Sequence, residues 1–171
     1  SSIYYPECEV KQMSVTPPHL RSKRENSDAE KSKHSARCLV KQLATLQDTC
    51  ADCTETQLSW VSFPIGLFLC SSCANIHKQL SDSYVKNYLS DTFLFFPDEI
   101  NALHLMGNEK ASHFFRGKND APPPLDPSHD NHLKLIRANE LYKEKKWYFD
   151  HSDPVTHLPP KPTGFFESFG L

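Results

Sequence analysis

The stretch CADCTETQLSWVSFPIGLFLCSSCANIHKQL, Cys50 to Leu80, decides the fold of this chain. It holds four of the chain's six cysteines, in two pairs that each enclose two residues, with sixteen residues between the pairs. This spacing lies within the range of four-thiolate zinc sites. Two cysteines so close in sequence are poor disulfide partners, but they close readily around a small ion. The sequence therefore predicts one metal site formed by Cys50, Cys53, Cys70 and Cys73.

The predicted ion is Zn²⁺, in a structural role. Four thiolates complete its tetrahedral coordination and leave no position for a reactive water. Its binding free energy then contributes to the folding of a region with little apolar core of its own. His77 follows Cys73 by four residues and is an alternative ligand. Because four cysteines are present, we expect His77 to pack beside the site or to form a local hydrogen bond.

The composition indicates one globular domain with tails. The chain has 171 residues, of which 38% are hydrophobic, and a formal net charge of −2 that does not suggest a nucleic-acid partner. It has no apolar run of the roughly 18 residues that a membrane span needs. Its first residues lack the layout of a signal peptide. Paired cysteines without a secretion signal favour a reducing, cytoplasmic compartment.

Hydrophobic periodicity predicts the elements around the cysteines. Apolar residues at helical spacing indicate amphipathic helices, and alternating apolar residues on either side of a Pro-Ile-Gly breaker indicate short strands. The predicted elements are a helix at 35–47, strands flanking 64–66, a short helix at 74–80, a helix pair from Asp98 that divides at Gly107, and a helix at 131–146.

The N-terminal residues 1–31 are polar, charged and without periodicity, so we expect a disordered or loosely attached extension. Its basic residues Arg21, Lys23 and Arg24 are candidates for contact with an acidic membrane or partner. The alternative is an ordinary solvated charge run.

The C-terminal residues 151–171 are expected to form a linker that follows a zinc domain over 35–150. Three phenylalanines in this tail, Phe165, Phe166 and Phe169, are an alternative short motif for a coat protein or another partner.

Residues around the second cysteine pair carry a resemblance to a known family. They follow the pattern W-x-S-x-x-x-G-x-x-x-C-x-x-C and then I-H-x-x-L. This arrangement resembles the ArfGAP family, zinc-finger domains that activate GTP hydrolysis on Arf-type small G proteins. The positions that match are Trp60, Ser62, Gly66, Cys70, Cys73, Ile76, His77 and Leu80.

The resemblance extends over about residues 35–150. Residues 35–53 are similar to the family's first helix and first zinc knuckle, and 85–91 to its V-[RK]-S-L-x-x-D strand. The segment 107–111 matches the G-N-x-x-A turn, and 135–148 resembles the closing helix. The implied fold is α+β, a small three-stranded sheet with a four-cysteine zinc finger surrounded by about five helices.

The resemblance also implies a function. The partner would be an Arf-family small GTPase in vesicle trafficking, with the protein cytoplasmic or peripheral on Golgi or endosomal membranes. The family places an arginine directly after Ile-His, and this arginine offsets charge that develops on the nucleotide phosphates. That catalytic position is Lys78 here. Trp60 and Lys86 match positions expected to contact the partner, although Lys86 is equally interpretable as a solvated strand lysine.

The sequence departs from the family at the docking region. Besides Lys78, Ser81 replaces a glycine, Ala74-Asn75 replaces a small-glycine pair, and the segment 80–85 is about two residues shorter than usual. A lysine lacks the planar fork of arginine, so we expect weak GTPase activation. The alternative is an inactive scaffold that binds a G protein or trafficking factor. A nucleic-acid zinc finger is disfavoured because residues 74–100 carry two cations against four anions.

Overall fold

The computed structural model describes residues 14–149. Within this range, six α-helices and three strands follow one another along the chain. In chain order they are α1 Lys23–Lys31, α2 Lys33–Ala44, β1 Trp60–Phe63, β2 Leu67–Leu69, α3 Ser71–His77, β3 Tyr84–Asn87, α4 Pro97–Leu105, α5 Gly107–Phe115 and α6 Asn131–Ala138. A 3-10 turn, Pro18–Leu20, precedes α1, and a π-helical turn, Asn139–Lys143, extends α6.

The sheet is antiparallel, in the order β2-β1-β3. Trp60 faces Leu69 on one side and Asn87 on the other, which fixes the register of all three strands. Gly66 shapes the turn between β1 and β2, with φ of +96°. A Cβ at this position would stand 2.6 Å from the carbonyl oxygen of Ala102 in α4. Glycine is thus required both by the backbone conformation and by the close approach of α4.

Among the described residues, two buried clusters form the core. One joins the cysteine region to β2, α5, the end of α6 and Trp147, and the other joins α2 and α4 to β1. Asn108 connects β2 to the cysteine region, because its side chain binds both backbone groups of Phe68 and the carbonyl oxygen of Thr49, at 2.8–2.9 Å. Among the described residues, no helix has the length and apolar character needed to cross a membrane.

The expected extension over 1–31 is wrong for its described second half, where the structure has α1. A reciprocal capping box between Ser22 and Glu25 begins this helix. The Arg21 guanidinium donates to Asp98 at 2.6 Å and lies 4.1 Å from the centroid of the Phe96 ring. Arg21 is therefore an internal anchor rather than a free membrane contact. Sequence periodicity missed α1 because only Ala29 of this helix is buried.

The other predicted elements agree with the structure. The helix predicted at 35–47 is α2, the two strands flank 64–66, and the helix pair divides at Gly107. The short helix predicted at 74–80 begins three residues earlier, at Ser71, and ends at His77. The helix predicted at 131–146 is α6 together with its π-helical turn. The sixth helix, beyond the five implied by the family resemblance, is α1. The predicted tail 151–171 and its phenylalanines lie outside the described residues.

Candidate functional site

The four predicted ligands converge on one point. The sulfur atoms of Cys50, Cys53, Cys70 and Cys73 all lie within 4.8 Å of one another, and all four residues are buried. The Cys53 and Cys70 sulfurs are 3.7 Å apart. Four thiolates about 2.3 Å from a tetrahedral Zn²⁺ would stand roughly 3.8 Å apart. All four are free thiols, so the donor set fits a soft, tetrahedrally held ion.

Backbone amides surround the sulfur atoms. The amide of Cys70 donates to the Cys50 sulfur at 3.4 Å, and the amide of Cys73 donates to the Cys70 sulfur at 3.5 Å. A third amide, that of Glu55, donates to the Cys53 sulfur at 3.5 Å. Such donors stabilise thiolates and orient them toward the metal. The four buried sulfurs thus form a closed site, suited to a structural ion rather than a reactive one.

His77 is not a ligand, which confirms the expectation that it packs beside the site. Its Nδ1 lies 3.0 Å from the Ser62 hydroxyl, and its Nε2 lies 2.6 Å from a carboxylate oxygen of Asp52. The Tyr142 hydroxyl donates to the other oxygen of Asp52. Burial would raise the pKa of Asp52, but the charge and hydrogen bond of His77 and the bond from Tyr142 hold it below the usual value.

The buried chain Tyr142–Asp52–His77–Ser62 joins the closing helix, the first cysteine pair, α3 and β1. The roles of Asp52 and Tyr142 could not be predicted from the sequence. Asp52 lies between two ligands in the sequence, but its partner His77 is 25 positions away. Tyr142 is 90 positions away, and only the fold brings it near.

Lys78 and Trp60 meet at the surface. Lys78 is exposed and follows the last residue of α3. Its ammonium lies 4.6 Å from the centroid of the Trp60 ring and donates to the side-chain oxygen of Asn75 at 3.3 Å. Trp60 is half-buried on β1, and its ring packs edge-on against Phe93. Two of the predicted site residues thus form one surface feature, an accessible cation on an aromatic ring.

Lys86 is placed differently from both sequence interpretations, and each of them is wrong. Its side chain is buried, and its ammonium donates to the carbonyl oxygen of Leu94 at 2.7 Å and to Glu99 at 2.8 Å. The Phe96 ring centroid lies 4.7 Å away. Burial lowers the pKa of Lys86 below its ordinary value, although the charge of Glu99 opposes this shift. The aromatic run 93–96 covers the lysine, so it is neither solvated nor available to a partner.

A three-stranded sheet and surrounding helices built onto a four-cysteine site define a metal-binding α+β domain. The family model ArfGap, described as "Putative GTPase activating protein for Arf", matches residues 22–151. This match covers most of the chain, and the chain belongs to the ArfGAP family.

Two curated relatives are similar to this chain over part of their length. ADP-ribosylation factor GTPase-activating protein AGD12 of Arabidopsis thaliana is 30% identical over 112 residues, which are 61% of this chain and 33% of that protein. Stromal membrane-associated protein 1 of Mus musculus, another relative, is 29% identical over 136 residues, covering 75% and 29% respectively. The chain thus spans about a third of the length of these relatives.

The fold is also that of solved domains. The ArfGap domain of HIV-1 Rev binding protein superposes with a TM-score of 0.61 at 22% identity, over 73% of this chain and 96% of that domain. The solution structure of the ArfGap domain of human RIP gives a TM-score of 0.57 at 24% identity, over 67% and 87%.

Proposed function

We propose that this chain binds a GTP-loaded Arf-family GTPase through the surface around Lys78 and Trp60 and accelerates GTP hydrolysis only weakly. Its family membership and the names of its relatives support the class of partner. The observation that carries the proposal is the exposure of Lys78 at the end of α3, directly after the buried Ile76-His77 pair. We further propose that the four cysteines hold one Zn²⁺ with a structural role, and that the partner places the protein in vesicle trafficking.

The chemistry of the side chain limits the rate. An arginine finger is worth about 10³–10⁵ in rate, because it stabilises the charge of the phosphoryl-transfer transition state. A guanidinium binds two oxygens with a rigid planar fork, whereas the ammonium of Lys78 is a hydrated point charge. A loss of a few kcal/mol in transition-state stabilisation lowers the rate by about a hundredfold or more.

An inactive scaffold is the second candidate function. It is favoured by the contacts that the Lys78 ammonium already makes with the Trp60 ring and Asn75. These contacts would have to break before the lysine could reach a nucleotide. A lysine engaged in this way contributes to a docking surface without contributing to hydrolysis.

The proposal is tested by single-turnover GTP hydrolysis on a panel of Arf-family GTPases, with binding to the GTP-loaded forms measured in parallel. We compare the wild type, Lys78→Arg and Lys78→Ala. Lys78→Arg is expected to raise the rate about a hundredfold with little change in affinity, because it restores bidentate contact. Lys41→Arg makes the same change at an exposed lysine of α2 and is expected to change neither quantity.

The outcomes separate the two functions. Acceleration by Lys78→Arg above a weak wild type supports impaired activation. Binding without acceleration by either form supports the scaffold. A wild type as fast as an arginine-bearing member of the family contradicts the expectation that Lys78 weakens activation. A chain that binds no Arf-family protein contradicts both functions as proposed for an Arf-family partner.

A further inference from the structure

Helix α3 is held separately at its two ends. It has seven residues and is therefore about 10 Å long, too short to be stable on its own. Cys70 caps its N-terminus and Cys73 lies in its first turn, so the metal site fixes this end. Lys78 leaves the opposite end, which the four sulfur ligands do not reach.

We propose that His77 is a positioning residue, which by binding Asp52 and Ser62 fixes the direction in which Lys78 leaves α3. This inference rests on the proposed function, since the direction of Lys78 matters only for a partner that meets it. The role proposed for His77 concerns the C-terminal end of α3, and the metal site, which lies at the N-terminal end, does not fix that end.

The contacts of His77 explain how it holds this end. Its side chain is 1% exposed, and both ring nitrogens are occupied. The carboxylate of Asp52 can only accept, so Nε2 carries the proton of that bond, and Nδ1 forms a second hydrogen bond with the Ser62 hydroxyl. Tyr142 donates to Asp52 in turn. The histidine is thereby tied to β1 and to a carboxylate that is itself fixed.

Lys78 packs against the same face of β1 as His77. Trp60 and Ser62 are two positions apart on β1, so their side chains point to the same face of the sheet. Ser62 binds His77, and the Trp60 ring lies under the ammonium of Lys78. Two successive residues at the end of α3 therefore meet two alternate residues of β1. Loss of the contacts that His77 makes with Asp52 and Ser62 is expected to release the contact between Lys78 and the Trp60 ring.

The fluorescence of Trp60 tests the positioning role of His77 without any GTPase. The chain has two tryptophans, so Trp147→Phe leaves Trp60 as the reporter of its contact with Lys78. In that background, the Lys78→Ala variant gives the fluorescence lifetime of Trp60 in the absence of the contact with Lys78. We expect His77→Leu to shift the lifetime more than halfway toward that value while metal content stays unchanged. His104→Leu, the same substitution at a buried histidine of α4, is expected to leave the lifetime unchanged.

The rate gives a second readout. In the Lys78→Arg background, His77→Leu is expected to lower the single-turnover rate about ten- to a hundredfold, since small misplacements of a catalytic group have effects of this size. Affinity for the GTP-loaded partner should change less than about threefold, by the same argument. If His77 had only a structural role, His77→Leu would lower stability and metal content together, and the rate and the affinity would fall by similar factors.

A conservative variant at Asp52 supplies the rescue. Asn in Asp52→Asn has the same shape and can donate to Nε2 once the histidine proton moves to Nδ1, so we expect a near-normal Trp60 lifetime. Asp52→Ala should behave like His77→Leu. The inference is overturned if His77→Leu releases the metal, if it keeps both metal and lifetime, or if Lys78→Ala leaves the lifetime unchanged. If no form accelerates hydrolysis, only the proposed function fails, and the lifetimes still decide the role of His77.

Discussion

At the scale of single residues, Glu99 is the least exposed charged group among the described residues. It accepts from the Lys86 ammonium at 2.8 Å, the Tyr84 hydroxyl at 2.6 Å and the backbone amide of Phe96 at 2.9 Å. Burial raises the pKa of Tyr84, and the charge of Glu99 raises it further. A carboxylate in this position is stable only while its cation is present.

Lys86→Met is therefore expected to lower the free energy of unfolding by about 3–5 kcal/mol, because it leaves Glu99 charged and unpaired. Urea unfolding with metal present measures the change. Adding Glu99→Gln should recover at least half of the loss, since a neutral amide still accepts from Tyr84. Lys41→Met, at an exposed lysine, should cost no more than about 0.5 kcal/mol. A cost below about 1 kcal/mol for Lys86→Met would be incompatible with the buried pair.

At the scale of elements, the β1–β2 turn and the α4–α5 junction each contain a glycine with positive φ, Gly66 at +96° and Gly107 at +76°. They differ in the space around them. A Cβ on Gly66 would meet backbone of α4 at 2.6 Å, whereas one on Gly107 would lie 3.6 Å from the flexible side chain of Gln47. The first glycine allows helix and turn to approach closely, and the second only allows the backbone conformation.

Alanine at the two positions separates these effects. Gly107→Ala is expected to lower the free energy of unfolding by about 1–2 kcal/mol, the cost of the left-handed conformation. Gly66→Ala carries the same strain plus a clash with Ala102, and should cost at least about 2 kcal/mol more. Thermal unfolding at constant metal measures both. Equal costs would show that α4 is not held against the turn as described.

Whether a helix could be predicted from the sequence depended on how many of its residues are buried at helical spacing. Helix α2 buries Ala36, Val40 and Leu43 at helical spacing, so its pattern was visible. Helix α1 buries only Ala29 and is held by Arg21, which a search for apolar periodicity does not detect. Residues 121–127, which contain four prolines, connect α5 to α6. Their pairing with the cysteine region, between Leu125 and Cys53, likewise depends on tertiary contact.

The candidate site was predictable to a similar extent. The four cysteine ligands follow from local spacing, and the family resemblance identified Trp60 and Lys78 as site residues without predicting that they meet. The role of Asp52 required a contact with Tyr142, and the burial of Lys86 required the aromatic run to fold across β3. Contacts between distant residues leave no period in the sequence, so these features appeared only in the structure.

At the scale of the whole molecule, the cysteine site organises one of the two buried clusters. Between α2 and β1, residues 45–59 contain no helix or strand, yet they supply two of the four sulfur atoms. A structural zinc site contributes on the order of 10 kcal/mol or more, comparable with the stability of an entire domain. Removal of the ion should therefore unfold this cluster, which includes Leu141 and Trp147.

The central claim is that one ion on four thiolates builds the surface from which Lys78 projects. Native mass spectrometry combined with thiol alkylation tests it most directly. We predict one Zn²⁺ per chain and protection of the four cysteines until a chelator is added. Cys38, which is an exposed free thiol, should be alkylated from the start and serves as the internal reference. A folded chain without an ion, whose four cysteines are joined in two disulfides, would contradict the account.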